Sequence, residues 1–301
     1  MKKVFLLIVL MFLFEASSFC LGGEPIGITV SIGPQVECVQ RIGGDRVHVT
    51  CLVPPGISPE TFSPGPRELG ALARSAIYVT IGLPFEAALV PKVAATFPKV
   101  NIVDGRKGMH FRRMEGGDHG HHHGHGGHEC HEDEGLDPHV WLSWENMVRH
   151  SEVVENALRE VLPKDDHPGL ERRRMDYVLA LQRVHEDLRQ RLSPLRGRSA
   201  VVFHPAFGYF LDDYGLVQQA VEVEGKEPGG RHLAELIRKA RADGVRVVFV
   251  QPQFNRKAAQ VVASEIGGVV RVLDPLPAPY LDGLERLGAT LLDAFQAKGV
   301  E

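Results

Sequence analysis

Leu170-Glu-Arg-Arg-Arg-Met-Asp-Tyr-Val-Leu-Ala-Leu-Gln-Arg-Val-His-Glu-Asp-Leu-Arg-Gln-Arg-Leu192 is strongly charged, yet it sets Tyr177, Leu181, Val184, Leu188 and Leu192 on one stripe of a helix. At about 1.5 Å per residue such a helix runs roughly 35 Å, long enough to lie beside two lobes and join them. A shorter helical pattern over 144–162 precedes it, with Met147, Val154, Leu158 and Val161 in register and Pro163 as the stop.

On the N-terminal side, apolar β-rich runs recur at 26–32, 47–53, 77–81 and 100–103, separated by helical patterns at 34–42, 66–74 and 84–97. The C-terminal side repeats the plan, with strands near 200–204, 216–223, 245–250 and 269–273 and helices near 206–214, 231–242, 256–266 and 280–297. Strands alternating with helices predict parallel sheets covered on both faces. The expected fold class is therefore α/β, with two doubly wound parallel-sheet lobes joined by a long rigid helix. The division expected along the chain is a signal peptide at 1–23, a lobe at 24–167, a linking helix at 168–197 and a second lobe at 198–301.

The signal-peptide reading rests on Lys2 and Lys3, the apolar run over 4–14, and the small residues Ala16, Ser17 and Ser18. That run is too short to span a membrane. Phe19 precedes Cys20 where a lipid-attachment motif normally has a small residue, so a soluble periplasmic protein is expected rather than a lipoprotein. In an oxidising compartment Cys38 and Cys51 could pair, although two buried free thiols explain the pattern as well. With a net charge of -4 and no basic stripe interleaved with aromatics, nucleic acid is not an expected partner.

Metal chemistry is written at four separated places: Glu60 in a Pro-rich loop, His139 in Asp137-Pro-His-Val-Trp-Leu, His204 at a strand end, and Asp274 in Leu273-Asp-Pro-Leu. Ligands of doubly wound folds collect beyond the carboxyl ends of strands, which is where Glu60, His204 and Asp274 fall. Between the first two lies a Gly-rich segment over 118–134 carrying His119, His121, His122, His123, His125, His128 and His131, an expected auxiliary ion-collecting loop. Imidazole with carboxylate suits zinc and other borderline divalent ions. The sequence has no His-Glu-x-x-His stretch and no Gly-x-Ser-x-Gly elbow, so an enzyme is not expected.

Leu52-Val-Pro-Pro-Gly, Asp137-Pro-His-Val-Trp-Leu, His204-Pro-Ala-Phe-Gly-Tyr-Phe, Val248-Phe-Val-Gln-Pro-Gln-Phe and Leu273-Asp-Pro-Leu resemble, in this order, motifs of the ZnuA/TroA-like zinc and manganese solute-binding proteins of ABC transporters. The resemblance covers about 28–297. It implies a monomeric receptor that buries an ion between its lobes and delivers it to a membrane permease, with His139, His204 and Asp274 at three ligand positions. Glu60 stands where that family usually has its first histidine. Two imidazoles with two carboxylates make a harder donor set, so manganese or iron is the alternative to Zn2+, and a zinc buffer, chaperone or adhesin is the alternative to transport.

Overall fold

The computed structural model describes residues 24–114, 135–222 and 229–296. In the first lobe β1 (Ile26–Val30), α1 (Gly33–Gly43), β2 (Val47–Cys51), α2 (Pro66–Leu72), β3 (Ile77–Thr80), α3 (Pro84–Thr96) and β4 (Asn101–Asp104) alternate. Two helices follow, α4 (Trp144–Val161) and α5 (His167–Leu192). The second lobe runs β5 (Ser199–Val202), α6 (Gly208–Asp213), β6 (Val217–Ala220), α7 (Gly230–Ala242), β7 (Val247–Val250), α8 (Arg256–Glu265), β8 (Val269–Val272) and α9 (Tyr280–Gln296). Both sheets are parallel and share one topology, in the orders β2-β1-β3-β4 and β6-β5-β7-β8.

The apolar runs read as strands because both faces of each sheet are covered. β3 and β7 are buried at every residue, as parallel strands between helix layers should be. In the second sheet Ala200, Val202, Val247 and Phe249 turn towards the spine helices, whereas Val201, Val248 and Val250 pack on Leu236 and Ala240 of α7 and on Ala259 and Val262 of α8. The inner core is continuous from the first sheet through α1, α4, α5 and α9 to the second sheet. A second, smaller cluster on the outer face of the second sheet forms apart from the spine.

α5 has 26 residues, about 39 Å at the usual helical rise, and begins three residues before the expected start. Pro168 sits in its first turn, where a missing N–H is tolerated. Leu170, Tyr177, Leu181, Val184, Leu188 and Leu192 form its buried stripe. At its flank Arg173 Nε donates to the Ile42 carbonyl, 2.6 Å away, satisfying the C-terminal end of α1. Leu181 is fully buried in the shared core. Leu181→Ala is expected to lower the unfolding free energy by about 2–5 kcal/mol, read as a shifted urea midpoint with a single transition. Separate transitions for the two lobes would contradict a shared core.

Cys38 and Cys51 are both free thiols; Cys38 is buried on α1 and burial raises its pKa well above the usual thiol range. Among the described residues no helix is long and apolar enough to cross a membrane. The expected signal peptide at 1–23 and the seven histidines of 118–134 lie outside the described residues.

Candidate metal centre

Three chain segments converge between the lobes. The loop after β2 carries Glu60, the turn leading into α4 carries His139, and His204 follows the end of β5. Potential ligand atoms of these three residues lie within 4.8 Å of one another. His204 Nε2 stands 2.5 Å from Glu60 Oε1, and His139 Nε2 is 3.6 Å from the same oxygen. The two imidazole rings are 5.3 Å apart and steeply inclined, so their Nε2 edges face one point rather than stacking. Both histidines are buried, at 4 % and 6 % exposure, and Glu60 is partly so.

A carboxylate stands behind each imidazole. Asp137 Oδ1 lies 2.8 Å from His139 Nδ1 and also accepts the His139 N–H at 3.0 Å. Glu222 Oε2 lies 2.8 Å from His204 Nδ1. A carboxylate can only accept, so Nδ1 of each ring carries a proton and the Nε2 edge is turned towards Glu60, where the metal-free protein holds a further proton between His204 and Glu60. This is the arrangement in which an outer carboxylate orients a metal-binding histidine and raises its basicity. Asp137, fully buried, is balanced by Arg112 Nη1 at 2.8 Å; that guanidinium also reaches Asp212 Oδ2 in the second lobe at 2.9 Å.

Without a metal ion, protons on the histidines supply the positive charge that the carboxylates demand. Burial alone would lower the His204 pKa, but its contacts with Glu222 and Glu60 outweigh this and raise it to about 9. His139 behaves alike: burial opposes the proton, and Asp137 and Glu60 prevail, so its pKa is raised. For Glu60, burial would raise the pKa, but the two histidines override it and bring it down to about 2. Three carboxylates around two imidazoles thus attract positive charge, supplied either by protons or by a divalent ion.

The walls exclude water. Trp141 meets the His139 ring edge-on at 5.3 Å, and Phe254 stacks on His204 at 5.1 Å and 15°. Trp141 Nε1 donates to the Pro275 carbonyl at 2.6 Å, and Tyr280 hydroxyl donates to the Trp141 carbonyl at 2.5 Å, so this wall is pinned across the lobes. Gln251 brackets the His204 backbone, accepting its N–H at 3.3 Å and donating to its carbonyl at 2.6 Å.

Asp274, the fourth residue expected from the sequence, is not brought into this group. It is exposed, and its Oδ1 accepts from the Leu276 N–H at 3.0 Å and from Gln253 Nε2 at 3.3 Å. Asp137 and Glu222 were not among the expected site residues. Asp137, two residues before His139, had a local signal in its spacing. Glu222 had none.

Residues 28–294 match the family described as zinc-uptake complex component A, periplasmic. The chain belongs to that family. Among relatives of this zinc-uptake component, the zinc-binding protein AdcA of Streptococcus pyogenes serotype M3 is 27 % identical over 289 residues. The match takes in 91 % of this chain but only 56 % of AdcA. The high-affinity zinc uptake system protein ZnuA of Bacillus subtilis is 28 % identical over 262 residues, 84 % of this chain and 79 % of that protein. A ZnuA deletion mutant solved with zinc bound superposes with a TM-score of 0.81 at 35 % identity, covering 91 % of this chain and 99 % of that one.

Proposed function

We propose that this member of the zinc-uptake component A family is a periplasmic receptor that captures Zn2+ between its lobes and hands it to an ABC permease. The observation that carries this reading is the convergence of two Nε2 atoms and the Glu60 carboxylate on one point between the lobes, with Asp137 and Glu222 behind the rings. Two imidazoles and a carboxylate are a fitting donor set for zinc. Capture requires no bond-making chemistry, and the reading assigns none. The zinc named in the AdcA and ZnuA relatives, and the zinc bound in the ZnuA mutant, support the choice of ion. Glu60 in place of a third imidazole keeps manganese as the second reading, because an oxygen donor hardens the site.

The deciding experiment is metal analysis of protein recovered from the periplasm without added metal, followed by competitive titration of Zn2+ against Mn2+. Zinc in near-stoichiometric amount and a clear preference over manganese are expected. Protein that carries manganese and prefers it would replace the first reading with the second.

The segment 118–134 has the composition of a weak, auxiliary collector of the same ion. Ordering a Gly-rich stretch of chain around an ion carries a conformational cost that a preformed cleft avoids. Deleting residues 118–131 is therefore expected to leave one tight site and remove several weaker ones in a calorimetric titration. Loss of the tight site on deletion would make the segment the principal binder and reject the cleft. The proposal extends to a monomer exported by the signal peptide at 1–23 and released without a lipid anchor at Cys20.

A further inference from the structure

Gln253 stands where two cavities meet. It lines the small cavity enclosed by Glu60, His139 and His204, and it also lines the larger interlobe cleft of about 600 Å3 that carries Asp274 and Arg286. Asp274 lies on the cleft side and holds Gln253 through Nε2 at 3.3 Å. A carboxylate has no proton to donate, so this contact fixes the amide: the NH2 group faces Asp274 and Oε1 is turned away from it. That oxygen is buried and has no hydrogen-bond partner. A buried polar atom left unpaired costs about 1–3 kcal/mol and calls for a partner that the polypeptide does not supply.

One other atom of the same cavity is in that condition. His204 Nε2 is buried and close to Glu60, but the contact is not aligned as a hydrogen bond. The imidazole edge that faces Glu60 and an unpartnered amide oxygen, in residues lining one cavity, have as their common partner a cation that displaces the imidazole proton.

We propose that Gln253 Oε1 is the fourth donor to the captured ion, and that Asp274 is a positioning residue acting through the Gln253 amide. The inference rests on capture of a divalent ion by Glu60, His139 and His204. The cavity leaves about 10 Å3, room for a single water-sized guest, and Gln253 is part of its lining. A neutral fourth donor leaves the groups that touch the ion with one negative charge, from Glu60. Glu222 and Asp137 supply further negative charge from behind the rings, and Arg112 balances part of it.

The test uses the full mature protein stripped of metal, titrated with zinc against a competing chelator, with the visible absorption of the Co2+-loaded form as a second readout. Gln253→Leu should weaken zinc binding about tenfold or more and change the intensity of the cobalt bands. Gln253→Glu combined with Asp274→Asn should recover tight binding, because an oxygen returns to the same place and the Asn amide can donate to it, where two facing carboxylates would repel. Asp274→Ala should weaken binding about fivefold in the parent, yet add nothing in the Gln253→Leu background, since both changes remove one donor.

Two results overturn the proposal. One is Gln253→Leu binding like the parent with unchanged bands. The other is full additivity of the two substitutions with the larger loss at Asp274, which would make Asp274 itself the ligand. A separate control guards the reading beneath: if His204→Ala also binds zinc like the parent, the cleft is not the zinc site and the failure lies there.

Discussion

Replacing His204 with Ala is expected to weaken zinc binding by about two orders of magnitude. Closed zinc sites contribute about 10–16 kcal/mol shared among four donors, so one donor is worth roughly 3 kcal/mol, or about a hundredfold in Kd. His204 is held more firmly than an ordinary surface histidine. Gln251 fixes its backbone, Phe254 stacks on its ring and Glu222 holds its Nδ1. Glu222→Leu leaves the imidazole in place but removes the anion behind it, and should weaken zinc by about 10–100-fold. Competition against a fluorescent zinc chelator measures both. Equal affinities for the parent, His204→Ala and Glu222→Leu would move the tight site out of the cleft.

Glu60→Ala is the second large effect, and its signature is in the pH dependence. The carboxyl is lowered from 4.5 to about 2, so its contribution to stability is present above pH 4.5 and is lost as the pH falls towards 2. His204 is raised from 6.5 to about 9, so its contribution is complete below pH 6.5 and is lost as the pH rises towards 9. The metal-free protein therefore gains most from this cluster between pH 4.5 and 6.5, where both groups are charged. Zinc must displace the proton on His204, so its binding strengthens over the interval in which the metal-free cluster weakens.

The rise in Tm on adding zinc should accordingly be larger at pH 8.5 than at pH 6. Glu60→Ala should weaken zinc by about tenfold or more, about 1.4 kcal/mol, and should flatten this difference because His204 loses one of its two carboxylates. Glu60→His should retain tight zinc binding and raise the preference for Zn2+ over Mn2+, since a nitrogen replaces the hard oxygen. A zinc-induced shift that is the same at both pH values, with Glu60→Ala binding both ions like the parent, would make Glu60 a bystander.

Much of this centre is legible along the chain because its parts are local. Pro54 and Pro55 stiffen the loop that presents Glu60, and Asp137 reaches the backbone and ring of His139 across a spacing of two residues. His204 closes an apolar strand, and such strand ends are where ligands of doubly wound folds gather. Asp274 has the same local credentials, and there the reading stops short. Its sequence says that it follows a strand, but not whether its carboxylate turns to the ion or to the Leu276 N–H and the Gln253 amide, which it does here.

The order of strands and helices, the stripe of α5 and the segments that carry Glu60, His139 and His204 follow from the sequence alone, because periodicity and turn chemistry act over a few residues. What stands behind those residues was settled only by the packing of distant elements. β5 pairs with β6 in the register Val202↔Ala220, and two residues further along each chain this puts His204 level with Glu222. No spacing in the sequence encodes that pairing; it depends on which strands become neighbours and how they slide into register. Gln253 is placed by the same logic, at the point where the second lobe meets the loop of the first. The candidate donors are read from the sequence, whereas their charge and protonation belong to the tertiary structure, because burial and long-range carboxylates set them.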